Sequence, residues 1–287
     1  MIFPQVSAAD VAAVAAHYDD LDLFYRIIWG THVHHGYWRT GKESTEEALE
    51  NLIHLVAQRA GIKSGSCVCD VGCGYGGSAK IFVQEYGARV IGITVSKKQY
   101  ELAQLFNDGL AGVDFMNCDG LANGLPAGSF DAVVSVESSE HMQDKPAFFA
   151  ELSRLLRPGG RLVVVAWLAR EQAGAAEAKY LLEPICAEGR LPSIASAREY
   201  EEMLGAAGFQ DLGFEDLTRE VKKTWRICAL RCLTRISSHH FLRQRFFDST
   251  FRNRVFAKTV VRIWLAYTVG SMRYGLFSGR KPWAKKL

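Results

Sequence analysis

The feature that most constrains this chain is an alternation that runs from Ser66 to Trp167. Short apolar runs at Cys67–Val71, Arg89–Thr94, Val113–Met116, Phe130–Val136 and Arg161–Trp167 read as strands. Between them, Ser78–Tyr86, Ser96–Asn107 and Pro146–Leu156 carry helical spacing, and glycine-containing turns separate the two kinds of segment. Strand, turn and helix repeated in this way close right-handed βαβ crossovers onto a parallel sheet. Disorder, collagen and coiled coil as the main architecture are ruled out by the composition, 48% hydrophobic and 23% charged.

The flanks are more helical. Ser7–Ala16 is rich in Ala and Val and reads as a helix, and Tyr18–Trp38 is aromatic and His-rich with no clear period. Ser44 and Glu47 form a capping box before Leu49, Leu52, Ile53, Val56 and Ala60, with Gly61 at the expected C-cap. Beyond Trp167, Ser196–Ala207 is a capped helix ended by Gly208, and Asp211–Leu217 reads as a strand. Val221–Thr268 is long, basic and aromatic with helical stretches, and Met272–Ser278 reads as a last strand. The fold expected is α/β: a Rossmann-like, seven-stranded, mostly parallel sheet with helices on both faces. An N-terminal helical cap precedes it, and a helical insertion precedes the last strand.

Composition supports an ordinary globular protein. Of 287 residues, 48% are hydrophobic and 23% charged, enough for a full core without staples. Seven cysteines, with no basic and apolar leader in Met1–Gln5, suggest reduced thiols in a cytosol. The uncharged run Ile263–Met272, flanked by Arg262 and Arg273, is too short for a membrane span. The net charge of +3 hides an asymmetry: Arg219–Leu287 holds 17 Lys+Arg against 2 Asp+Glu.

The turn Asp70-Val-Gly72-Cys73-Gly74-Tyr-Gly76-Gly77 carries most of the chemistry. Glycines at 72, 74 and 77 satisfy G-x-G-x-x-G, which admits a dinucleotide. Asp70 argues the other way: a carboxylate beside the turn repels a pyrophosphate and suits a cationic nucleoside. Thr94 stands at the end of the second strand, where an NAD site would place a ribose-gripping acid.

The motif around Val71-Gly-Cys-Gly74, together with Arg157-Pro-Gly-Gly160 before an apolar strand, resembles class I S-adenosylmethionine-dependent methyltransferases. A narrower resemblance is to γ-tocopherol methyltransferases and plant-type small-molecule N-methyltransferases. It rests on Trp29-Gly-Thr-His-Val-His-His-Gly-Tyr37, Gly92-Ile-Thr-Val-Ser96 and Glu137-Ser-Ser-Glu-His-Met142 followed by Asp144-Lys145. Sterol and cyclopropane-fatty-acid methyltransferases look similar over Gly92–Gln99. The resemblance implies S-adenosyl-L-methionine as cofactor, held by Asp70, Gly72, Cys73 and Gly74, with the backbone at Thr94 and the side chain of Gln99 serving the ribose. Gln99 also fits a capping box with Ser96. Asp119, followed by Gly120 and Leu121, is implied to take the adenine amino group; a plain Asp-Gly turn is the alternative. The N-terminal segment is implied to fold over the donor, bringing Tyr18, His35 and Tyr37 to the active site. The layout implied is one domain over 1–287: cap 1–60, donor-binding core 61–168, substrate-lid helices and last strands 169–287.

Glu137, Glu140 and His141 form the candidate catalytic cluster. A helical turn over Glu137–Met142 would put all three on one side, at the carboxyl edge of the sheet. Methyl transfer needs alignment and the loss of a proton from the acceptor, and His141 ranks first as the base. His32, His34 and His35 have permissive metal spacing but no accompanying carboxylate cluster, so no metal is expected. Cys67, Cys69 and Cys73 read as small buried hydrophobes.

The expected activity is methyl transfer to a small, lipophilic acceptor, at C, N or O. An NAD-dependent oxidoreductase and an inactive methyltransferase frame that binds nucleic acid or membrane are the rival readings. For the basic segment, with Phe246, Phe247, Phe251, Phe256, Trp264 and Tyr267 among its charges, peripheral membrane contact or a hydrophobic-substrate lid ranks first. Nucleic acid ranks below, since no DNA- or RNA-binding module is recognisable. The location expected is cytoplasmic or peripheral to a membrane.

Overall fold

The computed structural model describes residues 10–238, 240, 244 and 256–284. Seven strands form one sheet in the order β3-β2-β1-β4-β5-β7-β6. They are β1 (Cys67–Val71), β2 (Arg89–Thr94), β3 (Val113–Asn117), β4 (Phe130–Val136), β5 (Leu156–Ala169), β6 (Gln210–Asp216) and β7 (Met272–Arg280). Strands β1 to β5 are mutually parallel, and β7 runs antiparallel between β5 and β6. The chain reverses direction across the sheet between β1 and β4, so their carboxyl ends open a crevice there.

From Ala132 to Val136 in β4 and from Leu162 to Ala169 in β5 the residues are apolar but for Ser135, because both faces are covered. Val163 and Val165 face a core shared with α2 (Thr45–Ala60) and α3 (Gly77–Gln84), while Leu162, Val164 and Ala166 face α5 (Lys145–Leu155) and α8 (Ala197–Ala206). The Ser44–Glu47 capping box and the left-handed Gly61 C-cap form as the sequence expects. α4 (Lys97–Phe106) follows β2.

The N-terminal helix α1 (Val11–Ile28) is longer than its Ala/Val signal and runs through the segment read as aperiodic. Its apolar stripe is interrupted by His17 and Asp22, which are buried because they find partners: His17 Nε2 meets the Tyr25 hydroxyl at 3.0 Å, and Asp22 accepts from Tyr75 at 2.8 Å and from Arg26. Residues 7–9 of the expected helix lie outside the described residues, as do Phe246, Phe247 and Phe251.

After β5 come α6 (Ala175–Glu177), a π-turn (Ala178–Leu182) and α7 (Glu183–Gly189). α9 (Thr218–Val221), α10 (Lys223–Ser238) and α11 (Phe256–Val269) fill the stretch between β6 and β7. α10 and α11 pack on each other, and α1 and α7 pack against this pair. Among the described residues no helix is long and apolar enough to cross a membrane. All seven cysteines are free thiols; Cys69 and Cys73 are buried and Cys67 half-buried.

Candidate active site

Two cavities meet at the carboxyl edge of the sheet. The first lies against the glycine turn and is lined by Asp70, Gly72, Cys73, Gly74, Thr94, Gln99 and Gly120, with Tyr18 and His32–His34 over it. The second is walled by Tyr25, Trp29, Trp167, Leu191, Trp225 and Ile263. Tyr18, Val33, Glu137 and His141 line both, so they stand at the junction.

The turn is shaped by close approach. Gly72 has φ +89°, and a Cβ there would lie 2.3 Å from the Cβ of Ser138. Ser138 is fixed because its hydroxyl donates to the Val71 carbonyl at 2.7 Å, tying the end of β4 to the end of β1. A Cβ at Gly77 would meet the His32 ring at 2.7 Å, so the N-terminal segment does fold over this turn.

Asp70 is buried, and its Oδ2 has no hydrogen-bond partner. Burial pushes its pKa up to about 7. A buried carboxylate oxygen left unpartnered in a cleft is costly unless a cation completes it. Thr94 and Gln99 are buried at the far wall. The Thr94 hydroxyl donates to Gln99 Oε1 at 2.9 Å, and Gln99 N–H donates to Ser96 Oγ at 3.0 Å. Only half the expected Ser96–Gln99 box forms, since the Ser96 N–H turns to Thr94 Oγ1 at 3.3 Å. With its oxygen taken, the Gln99 amide is left to donate. Asp19 joins the Ser96 hydroxyl at 2.5 Å and the Lys98 N–H at 3.1 Å, docking α1 onto the start of α4.

Cys118 and Gly120 line the first cavity. Asp119, between them, accepts from the Leu121 N–H at 3.0 Å, and Leu121 packs toward the α5 side of the sheet. The turn is thus partly held by its own carboxylate.

Glu137, Glu140 and His141 come together, but not as one helical turn. Glu137 adopts φ +51° at the end of β4, and the short 3-10 turn covers only Ser139–His141. Backbone strain at a non-glycine residue survives where its surroundings over-determine it. Here four donors do so: the His35 N–H at 2.6 Å, His35 Nδ1 at 2.9 Å, the Tyr274 hydroxyl at 2.6 Å and Trp167 Nε1 at 2.7 Å. The Trp225 indole N–H donates to His35 Nε2 at 2.5 Å, which leaves the His35 proton on Nδ1, facing Glu137. Burial alone would raise the Glu137 pKa; His35, aiming ring and backbone N–H at the carboxylate, outweighs burial and lowers it below the usual carboxylate range. Glu137 is therefore ionised and saturated, a latch between the cap, the β5 and β7 strands and α10.

Glu140 is different. Burial raises its pKa to about 8, with Glu137 adding to the rise, although the Trp167 N–H donates to it at 2.5 Å. Lys145 is buried beneath it, donating to the carbonyls of Glu140, Met142 and Ser193 at 3.1–3.2 Å, and burial lowers its pKa to about 8. This ammonium ties the catalytic turn to the 190s loop.

His141 is placed by two contacts. The Arg190 carbonyl, which can only accept, lies 3.2 Å from Nδ1, so the ring proton sits there. Nε2 is left as an acceptor, and the Tyr18 hydroxyl reaches it at 2.8 Å. Burial lowers the His141 pKa to about 4, keeping the ring neutral.

His35 and Tyr37 are not in the lining of either cavity. His34 is held through Nδ1 by the His35 carbonyl at 2.8 Å, and His32 Nδ1 meets His34 Nε2 at 3.1 Å. Among the described residues no group of three His, Cys, Asp or Glu is placed to hold a metal ion. Sequence reading missed Trp167, Tyr274 and Trp225, which complete the latch, and Leu191 and Ile263, which complete the second cavity. Two of the tryptophans carried a signal in retrospect: large aromatic side chains at a strand end and in a basic helix, each with one N–H to satisfy.

The family described as Mycolic acid cyclopropane synthetase matches residues 5–252. Tocopherol O-methyltransferase, chloroplastic, of Arabidopsis thaliana is 30% identical over 94% of this chain and 82% of its own. The 2-methyl-6-phytyl-1,4-hydroquinone methyltransferase of a Synechocystis strain is 31% identical over 92% of this chain and 86% of its own. Among solved structures, the [4+2]-cyclase SpnF superposes with a TM-score of 0.79 at 27% identity, covering 98% of this chain and all of that one. A glycine turn backed by an unpartnered carboxylate, in a chain so matched along its length, makes this protein a member of the mycolic acid cyclopropane synthetase family and an S-adenosyl-L-methionine-dependent methyltransferase.

Proposed function

We propose that the first cavity holds the methyl donor and the second a phenol-like acceptor with an apolar tail, methyl passing between them at Tyr18 and His141. The observation that carries this reading is the junction itself: a cleft containing an unpartnered buried carboxylate and an aromatic cavity share Tyr18, Glu137 and His141. The residues fit the donor. Asp70 awaits a cation, Gly74 leaves open space where a Cβ would stand, and the Gln99 amide faces the cleft as a donor. In this reading Asp70, the Gly72-Cys73-Gly74 backbone, Thr94 and Gln99 hold the donor, Tyr18 closes over it, and Gly120 and Leu121 with Asp119 bound its base end.

Bound there, the donor supplies a methyl group already activated on a cationic sulfur. The chain then has two tasks. Alignment comes from the aromatic walls, which fix a flat acceptor and exclude water. Proton removal falls to His141: its Nε2 accepts from the Tyr18 hydroxyl at 2.8 Å, and an acceptor hydroxyl that displaces Tyr18 from that contact would sit where its proton can be taken. As the acceptor oxygen or ring carbon took the methyl, the sulfur–methyl bond would break to leave a neutral thioether, and the acceptor's proton would pass to Nε2. The ionised Glu137, which lines both cavities with His141, would favour the imidazolium that forms, while Glu140, its oxygens taken by the Trp167 N–H and the Ser139 hydroxyl, is held as part of the cavity wall.

The test is turnover with prenylated hydroquinones and simple phenols. S-adenosylhomocysteine formation matched by a one-methyl mass gain supports the reading. Product of unchanged acceptor mass would point instead to rearrangement, the class of activity named for the cyclase relative.

A further inference from the structure

α11 carries apolar side chains on two opposite sides. One side is buried: Val260, Ile263, Ala266 and Tyr267 join the core. The opposite side exposes Val261, Trp264, Leu265 and Val269, between 37% and 58% accessible. α10 repeats the pattern with Cys228 and Cys232 inward, and Leu230 and Leu233 outward at 56% and 69%. Among the described residues these side chains form an exposed apolar stripe at the protein surface. Three cations at the start of α10 and along it are exposed: Lys222, Arg226 and Arg235. Two others are spoken for, Arg262 by Glu188 and Arg231 by the Ile28 carbonyl and Thr45.

We propose that the outer face of the α10–α11 pair docks on an anionic lipid surface. Two observations favour lipid over other occupants. The segment from Arg219 to Leu287 carries 17 Lys+Arg against 2 Asp+Glu, so a second copy of the same face would meet like charge. The side chains between the cations are Trp, Leu and Val, which suit the interfacial region of a bilayer better than the polar surface of an acidic protein. The inner side of the same two helices supplies Trp225 and Ile263 to the second cavity. Docking would therefore set the acceptor cavity directly beneath the lipid, where an apolar acceptor is dissolved. That consequence rests on the acceptor reading above; the docking itself does not.

The test is co-sedimentation of the full chain with phosphatidylcholine vesicles, with and without phosphatidylglycerol, at low and high salt. Binding to the phosphatidylglycerol vesicles, weakened by salt, is the expected result. Trp264→Gln with Leu265→Gln, and separately Arg226→Glu with Arg235→Glu, should each reduce it roughly tenfold or more. All four positions are exposed, and unchanged circular dichroism and melting would show that the variants fold. Their turnover of a short-tailed, water-soluble phenol should match the parent, while turnover of a long-tailed acceptor presented in vesicles falls. No vesicle binding by the parent, binding that the variants retain in full, or a dimer that the variants dissolve would each overturn the proposal. Loss of turnover with the soluble phenol in the parent would sink the acceptor reading and leave the docking result standing.

Discussion

The two cavities are built in opposite ways. The first cavity comes mostly from short local segments at the ends of β1, β2 and β4, and its carboxylate Asp70 is left unsatisfied. The second is assembled from α1, the loop after it, β5, α7 and its loop, α10 and α11, and Glu137 in its wall is saturated by four donors. On the proposed reading, one side is poised for a charged ligand and the other is settled internally to receive an apolar one. Unpaired polar groups mark where binding energy is kept for a ligand, and saturated ones mark where rigidity is needed.

That contrast can be broken from either side. The largest effect is expected at the junction: His141→Ala should lower kcat roughly 10²–10⁴-fold, as loss of a general base does, with donor affinity by calorimetry unchanged within error. On the saturated side, Glu137→Gln leaves a buried donor unmatched and keeps the φ +51° backbone with less to hold it. It should cost about 2–4 kcal/mol in denaturant unfolding.

On the poised side the sign is reversed. The Asp70 pKa is about 7 in the folded protein and about 3.9 in an unfolded chain. The unfolded chain therefore releases its proton first. The stability associated with protonated Asp70 is fully present below about pH 4 and is lost as pH rises through about 7. Asp70→Asn should remove that loss, stabilising the ligand-free protein by about 1–3 kcal/mol at pH 8 and little at pH 4, as read from melting curves. The smallest effect is expected for Trp225→Phe, which keeps the apolar wall but removes the proton donor to His35; about 1 kcal/mol and a few-fold rise in acceptor KM are expected.

Legibility followed the same division. β1, β2 and β4 run over the residues that the sequence suggested because each is an apolar run bounded by Gly, Pro or polar residues. The first cavity was readable for the same reason: Asp70, Gly72, Cys73, Gly74, Thr94 and Gln99 lie within a few residues of a strand end. α1 was read short because His17 and Asp22 look like surface residues until Tyr25, Arg26 and Tyr75 are placed beside them. The pairing of Glu137 with His35, 102 residues away, and through it with Trp225, left no local trace. Contacts of that range are set by the crossing of helices over a sheet edge, which no window of sequence contains.

The central claim is that Asp70 is held ready for a cationic donor. It is tested most directly by calorimetric titration of S-adenosyl-L-methionine into the parent and into Asp70→Asn at pH 6 and pH 8. Since binding a cation requires the carboxylate, the parent should bind about tenfold more tightly at pH 8, whereas the Asn variant should bind weakly at both with no pH trend. Equal affinity for parent and variant, or a parent affinity indifferent to pH, would contradict the account.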